Sequence, residues 1–383
     1  MDHAVTVLEL LRQHERASRA ELAELSGLSP ATISRAVAHL RRSGLVRERV
    51  LEHVPLGRPP MVVELEVSAA YLLAIDAGGS RIRASLADLE GNLGVAEHGE
   101  VSRPGDLASV IREISRIALR AAAHAGGRPI LAAAAGISGI VDAGKGRVLL
   151  SPDLPGLDGV PAADLLSAEL HLPVAIDNDD ILAAIGEASV GAARGSTDVV
   201  FLSLGYGLGA GVIVGGRPLR GATSAAGAIA YFAPGRLEER ASGRAIASRY
   251  AQRANLAAAE VGAREVFDLA AAGDAIAKAV VAEATSALGD LVVNVAALLD
   301  PQVIVVGGGL ARSGAALFEP LAERLHSSVP YPPQLVPSLL EERAVAQGAA
   351  LLALSLGRQR MATNPGAPAV RREPARVGML ELI

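Results

Sequence analysis

The chain has 383 residues, half of them hydrophobic and 20% charged, with a net charge of −5. That profile excludes bulk disorder and supplies enough chain for two or three packed domains. There is no Cys, which excludes disulfides, Cys-ligated zinc and a thiol nucleophile.

No uninterrupted apolar run of membrane-spanning length is visible, and no basic-then-apolar leader, so the cytoplasm is the expected compartment and no membrane partner is expected. Charge is uneven. Residues 1–60 carry nine Arg and seven acidic side chains, whereas the rest of the chain carries a surplus of seven negative charges. Three short helices are predicted at the start. Val5 to Gln13 has apolar residues at Val5, Leu8 and Leu11. Ser18 and Glu21 form a capping box for a second helix, which points Leu22 and Leu25 inward and stops at Gly27. Ser29 caps a third helix with Pro30 in its first turn, ending near Ser43 and Gly44. Leu45–Glu48 and Met61–Leu65 read as two strands, and Gly57-Arg58-Pro59-Pro60 is a turn signal close to a domain boundary.

This order of helices, turn and strands predicts a winged helix-turn-helix over 1–65, with the third helix in the DNA major groove. Ile33, Val37 and Leu40 face its core. The candidates facing DNA are Ser29, Thr32, Ser34, Arg35 and His39. Arg35 suits guanine, Arg41 and Arg42 suit phosphates, and Arg58 suits the minor groove. An ordinary helical cap with a solvated basic face is the competing reading.

From residue 71 strands and helices alternate, an α/β pattern. Strands are predicted at Tyr71–Asp76, Arg81–Asp88, Leu93–Val101, Pro129–Ile137, Pro173–Asp177, Asp198–Leu204, Gly209–Val214 and Val303–Val306. Helices are predicted at Ala108–Ala123, Ala241–Ala259 and Gly273–Leu299, with helix dominating from there to Leu356. Two hairpin-and-glycine openings, near 71 and 199, hint at duplicated lobes. A Pro- and Arg-rich tail follows, over 358–383.

Three glycine-rich loops allow close backbone approach to phosphate. They contain Asp76, Gly78, Gly79 and Ser80; Gly205, Tyr206, Gly207 and Gly209; and Gly307 and Gly308. Each is equally readable as a tight turn. A fourth element, Asp177-Asn178-Asp179-Asp180, ends an apolar strand. There Asp179 suits a general base and Asn178 a polyol contact, while helix capping is the alternative.

Taken in this order, the motifs resemble those of the ROK family (repressors, open reading frames, sugar kinases) over roughly residues 5–356. Asp76-Ala77-Gly78-Gly79-Ser80 resembles the opening loop of its sugar-kinase domain. Asp177–Ile181 resembles the element carrying its catalytic Asp, here Asp179. Gly205–Gly211 and Asp300-Pro301-Gln302-Val303-Ile304-Val305-Val306-Gly307-Gly308 resemble its two nucleotide-side runs. The resemblance implies a two-lobed, actin-like (ribonuclease-H-like) ATPase fold behind the winged helix. Its first lobe would cover 70–180 with 341–357 and its second 181–340, with a sugar bound between them.

Departures from the family pattern bear on activity. Ala228 replaces a sugar-contacting Glu, and Tyr231 replaces a His that contacts sugar and ligates zinc. The Cys-rich zinc segment is absent, Tyr206 replaces a loop Thr, and Asp153 replaces an Asn. Asn178, Asp179 and Glu238 are retained. The implied effector site is therefore Asp153, Asn178, Asp179, Tyr231 and Glu238. No metal site or zinc is expected, and neither ATP nor Mg²⁺ is an expected cofactor. The implied function is a sugar-responsive transcriptional regulator, a repressor, acting as a homodimer or homotetramer on a palindromic double-stranded operator. A sugar kinase bearing a DNA-binding module and a constitutive DNA binder with a structural kinase-like domain are the alternatives.

Overall fold

A computed structural model describes residues 3–50, 61–79, 81–101, 106–154, 156–232, 236–256 and 261–363. The chain begins with α1 (His3–His14), β1 (Arg16–Ser18), α2 (Arg19–Ser26), α3 (Pro30–Arg42), β2 (Val46–Val50) and β3 (Met61–Leu65). The capping box forms as predicted: Ser18 accepts from the Glu21 N–H, and the Glu21 carboxylate accepts from the Ser18 N–H at 2.7 Å. Ser29 caps α3 by accepting from the Thr32 N–H. The sequence pattern missed β1. It pairs antiparallel with β3, which also pairs with β2, giving a three-stranded wing sheet in the order β1-β3-β2. Leu22, Ile33, Val37 and Leu40 are buried as predicted, but Leu25 is 48% exposed. The eight-residue α2 turns only one narrow face to the core, and Leu22 occupies it.

The domain's hydrophobic core does not close on itself. Val7, Leu11, Ile33 and Val63 belong to one cluster with Ala70 and Leu89, and Leu131 packs against it. These last three lie in the next part of the chain, so the winged helix is seated on it by apolar packing.

That part comprises β4 (Tyr71–Ala77), β5 (Arg81–Ala87), β6 (Leu93–Glu100), α4 (Leu107–Ala123), β7 (Ile130–Ile137), β8 (Ile140–Asp142), β9 (Arg147–Leu150), α5 (Ala162–Leu170), β10 (Val174–Asn178) and α6 (Asp179–Val190). Its sheet has the order β10-β7-β4-β5-β6, with β4, β5 and β6 an antiparallel meander. Next come β11 (Val199–Leu204), β12 (Leu208–Val214), β13 (Arg217–Pro218), α7 (Leu237–Ala241), α8 (Gly243–Ala254), α9 (Ala263–Ala271), α10 (Ala275–Leu299), β14 (Val303–Gly307), α11 (Ala315–Ser328), β15 (Gln334–Pro337) and α12 (Ala344–Thr363). Their sheet runs β13-β12-β11-β14-β15. Counted from its own first strand, each sheet has the order 3-2-1-4-5, the duplication hinted at by the paired hairpin openings. This repeated five-stranded topology is that of the actin-like fold.

Two compact units share the chain. One runs from the N-terminus to Ala135 and adds Pro161–Ile176 and the chain from Ala349 on; the other comprises Gly136–Val160 and Asp177–Gly348. The segment 136–160, assigned by sequence to the first lobe, thus groups with the second unit.

Three helical expectations change. The helix predicted over Ala241–Ala259 is broken at Ser242, whose extended backbone caps α8 by accepting from the Ala245 N–H. The run to Leu356 is interrupted by β15, which pairs parallel with β14. And α12 continues through Gly357 to Thr363, where a tail from residue 358 was expected. The remainder of that tail lies outside the described residues. The helix α10 is long and apolar enough, by composition alone, to cross a bilayer. However, 61% of its most apolar window is buried, and it packs against α7, α8, α9 and α11 as a core helix.

Candidate DNA-binding and effector sites

On α3, the residues turned away from the core are Ala31, Arg35, Ala38 and Arg42, at spacings of three and four. Thr32 and His39 flank this face on one side, Ser34 and Arg41 on the other, all but Arg41 half-buried. Most arginines of the domain are engaged. Arg41 and Arg19 both pair with the nearly buried Glu48, at 3.1 and 2.8 Å. Arg47 pairs with Glu64 at 2.6 Å and with Glu66, and Arg49 also approaches Glu64. Among the described residues Arg16, Arg35 and Arg42 have no carboxylate partner; Arg42 donates only to the Ala38 carbonyl, at 3.3 Å. The exposed face of α3 therefore presents two uncompensated guanidinium groups. Ser29 is occupied as a cap and by the Thr32 hydroxyl, 2.9 Å away. Arg58 and Ser80 lie outside the described residues.

The loop after β4 is a tight turn. The Gly78 N–H donates to the Arg81 carbonyl at 3.0 Å, and buried Asp76 pairs with Arg83 at 3.1 Å. Gly79 completes the described part of this loop.

In the second unit, the end of β10 and the start of α6 gather the acidic residues. Asn178 is the N-cap of α6: its side-chain oxygen accepts from the Ile181 N–H at 2.9 Å. Its amide donates to the Gly139 carbonyl at 2.8 Å and to Asp179 Oδ1 at 3.0 Å. Asp179 Oδ1 also accepts from the Asp180 N–H. The capping alternative is thus realised by Asn178, which does not preclude a ligand at the neighbouring Asp179. Asp177, 1% exposed, accepts from the Asn178 N–H at 2.9 Å and pairs with Arg220. Arg220 was missed by sequence reading, because no local pattern marks it. It anchors the loop between β13 and the short turn at Ile229–Tyr231, and its carbonyl accepts from the Ala226 N–H at 3.1 Å.

The loop after β11 explains its own glycines. A Cβ at Gly209 would lie 1.8 Å from Asp180 Oδ2, and one at Gly211 would lie 2.0 Å from the Asp180 carbonyl oxygen. These glycines let β12 pass against the start of α6. At Gly207 a Cβ would lie 2.8 Å from Glu238 Oε1, so the Glu238 carboxylate rests over this loop. The Gly243 and Arg244 N–H groups donate to the Gly205 and Tyr206 carbonyls, and the Arg244 guanidinium stands 5.3 Å from the centre of the Tyr206 ring. The parallel pairing of β11 with β14 sets Ser203 opposite Gly307. Gly308, with φ +82°, turns under Leu204, where no Cβ fits, and Gly307 packs under the Phe201 ring. Gly205, Tyr206, Gly207, Gly307, Gly308 and Glu238 are therefore one cluster. Tyr231 is 51% exposed with Arg236 over its ring at 5.5 Å, and Asp153 lies half-buried in a turn after β9.

Comparison with known proteins settles the classification. The ROK family pattern matches residues 72–355, and a winged helix-turn-helix DNA-binding pattern matches residues 5–47. The chain belongs to the ROK family. Among similar ROK proteins, the xylose repressor of Caldicellulosiruptor bescii is 26% identical, covering 91% of this chain and 94% of its own. The DNA-binding transcriptional repressor Mlc of Escherichia coli is 27% identical over 84% of each chain. Among solved structures, a ROK family transcriptional regulator described as a homologue of Escherichia coli Mlc superposes with a TM-score of 0.80. It is 25% identical and covers 95% of this chain and 98% of its own. A ROK family glucokinase from Streptomyces griseus in complex with glucose and AMPPNP gives 0.67 at 26% identity, over 74% and 99%.

The Cys-rich zinc segment that the family resemblance would call for does not fit this chain, which has no Cys. Among the described residues no group of three or more His, Asp or Glu is placed to hold a metal ion.

Proposed function

We propose that the protein is a DNA-binding transcriptional repressor of the ROK family, released from its operator by a sugar or sugar derivative. The observation that carries this reading is the uncompensated Arg35 and Arg42 face of α3, in a domain whose other described arginines, Arg16 apart, are tied to carboxylates. The repressors it resembles span nearly the whole chain, winged helix included. Two guanidinium groups per winged helix give few phosphate contacts, so the protein works as a homodimer or larger assembly on a palindromic site. Asp179 and Glu238 are the polar groups offered to the effector, with Asp153, Asn178 and Tyr231 around them. A ligand shifts operator binding only by binding the two forms differently.

The test is fluorescence anisotropy on DNA from upstream of the gene, at two salt concentrations, with a panel of sugars and sugar phosphates with and without MgATP. Salt-dependent, competitor-resistant binding released by one sugar without ATP supports the reading. Sugar-dependent ADP formation that Asp179→Asn abolishes would instead make the protein a kinase.

A further inference from the structure

One helix in the chain belongs to both compact units. The first turn of α12 groups with the second unit and the rest with the first. We propose that α12 is the lever through which the effector site controls the winged helix, gripped at its start by α6 and latched at its end to α1 by the Arg358–Glu9 ion pair. The proposal rests on the function given above and names the route of its regulation.

The grip is steric and polar. The helix α6 starts at Asn178 and Asp179, the residues assigned to the effector. Two turns on, a Cβ at Gly186 would lie 2.5 Å from the Ala344 carbonyl oxygen, and a Cβ at Gly348 would lie 1.9 Å from the Leu182 carbonyl oxygen. The two helices meet there backbone to backbone. Beside this contact Glu187, fully buried, accepts from the Ser338 hydroxyl and from the Leu340 N–H at 3.0 Å, and also from the Ala192 N–H at 2.6 Å. It thereby fixes the turn that launches α12. With no slack at either contact, α6 and the start of α12 move as one piece, since packed interfaces switch between arrangements and do not deform smoothly.

The latch is at the other end. A Cβ at Gly357 would meet Leu131 at 3.3 Å, so α12 lies close on its own sheet. Beside it Arg358, and one turn before it Leu354, face Leu8 and Leu45 of the winged helix across a cavity of about 10 Å³, room for one water. The Arg358 side chain is 12% exposed and reaches Glu9 on α1, which also holds Arg12 and Gln13. The helix α1 in turn packs on α3. Burial of the Arg358 guanidinium leaves Glu9 as its one carboxylate partner among the described residues, so removing either group frees the end of the lever.

Two measurements on the full-length protein decide the matter. In the first, without ligand, Gly348→Ala and, separately, Gly186→Ala push α12 from α6, and hydrogen exchange is read by mass spectrometry. The expected result is a change of about tenfold in the exchange of α1 and α3 amides, with α4 unchanged. Changes confined to α6 and the start of α12, or equal everywhere, overturn the lever. In the second, Arg358→Met keeps the bulk and removes the charge. Release from operator DNA by D-xylose or D-glucose should then need about tenfold more sugar, with sugar affinity by calorimetry unaltered. Release at the wild-type sugar concentration overturns the latch. If the wild type binds DNA but responds to neither sugar, or binds no DNA, the effector reading is what fails, and the exchange measurement still decides the lever.

Discussion

Asp177 illustrates how one buried side chain can tie together segments far apart in the chain. It is buried at the end of β10, accepts from its neighbour's N–H and holds Arg220 on a separate loop. Asp177→Asn removes the charge but not the bulk, leaving the guanidinium without its carboxylate. A loss of about 1.5–3 kcal/mol is expected for a hydrogen bond to a charged group. The check is urea unfolding, with Asp164→Asn, an exposed carboxylate on α5, as the comparison. At this scale the sequence was only half legible. The Asp-Asn-Asp-Asp run announced a helix start, and Asn178 does cap α6. The partner Arg220 lies 43 residues away and is one arginine among many, so only the fold could bring it there. The same holds for the packing reason of Gly209 and Gly211, read as phosphate glycines: it lies in the side chain and in the backbone of Asp180, respectively.

At the scale of elements, caps were the most legible features, because they are written in three or four adjacent residues. The box at Ser18–Glu21 and the N-cap at Ser29 form as read. The break at Ser242 was hidden by the alanines around it, although a capping serine was present. β15 was missed because four residues ending in Pro337 carry no alternation. The length of α12 was misjudged because Gly357 reads as a stop, whereas it serves to bring the helix close to Leu131. The capping box also gives a pH prediction. The Glu21 carboxyl is held below its ordinary range, first by the hydrogen bond from the Ser18 N–H and then by the Ser18 side chain. A depressed carboxyl pKa adds stability above the unfolded value, and that stability is lost as the pH falls through the folded value. Glu21→Gln should therefore lower the unfolding midpoint at neutral pH and leave it unchanged once wild-type Glu21 is itself protonated. A midpoint difference that persists in acid would mean that the box acts through packing and not through charge.

For the whole molecule, two sheets of identical strand order follow, along the chain, a winged helix whose core runs into that of the first sheet. Sequence periodicity reached the duplication only as a hint, since strand order is not written in any local pattern. The shared core was not legible at all, because Ala70, Leu89 and Leu131 look like ordinary strand residues. Its consequence is that the domain carrying α3 shares one apolar core with the sheet that follows it. Arg35 and Arg47 are both exposed on the winged helix, but Arg47 is held by Glu64 and Glu66 while Arg35 is unpaired among the described residues. Arg35→Ala should weaken operator binding by about 1–3 kcal/mol if it reads a base, with competitor DNA displacing the variant more readily. If it instead contacts a phosphate, affinity falls alike on all sequences and the salt slope drops by about one. Arg47→Ala should change neither, because its charge is already neutralised at home. Anisotropy titrations of both variants on specific and random duplexes, at two salt concentrations, separate these outcomes. Equal losses for the two arginines would show that net charge, not the face of α3, binds the DNA.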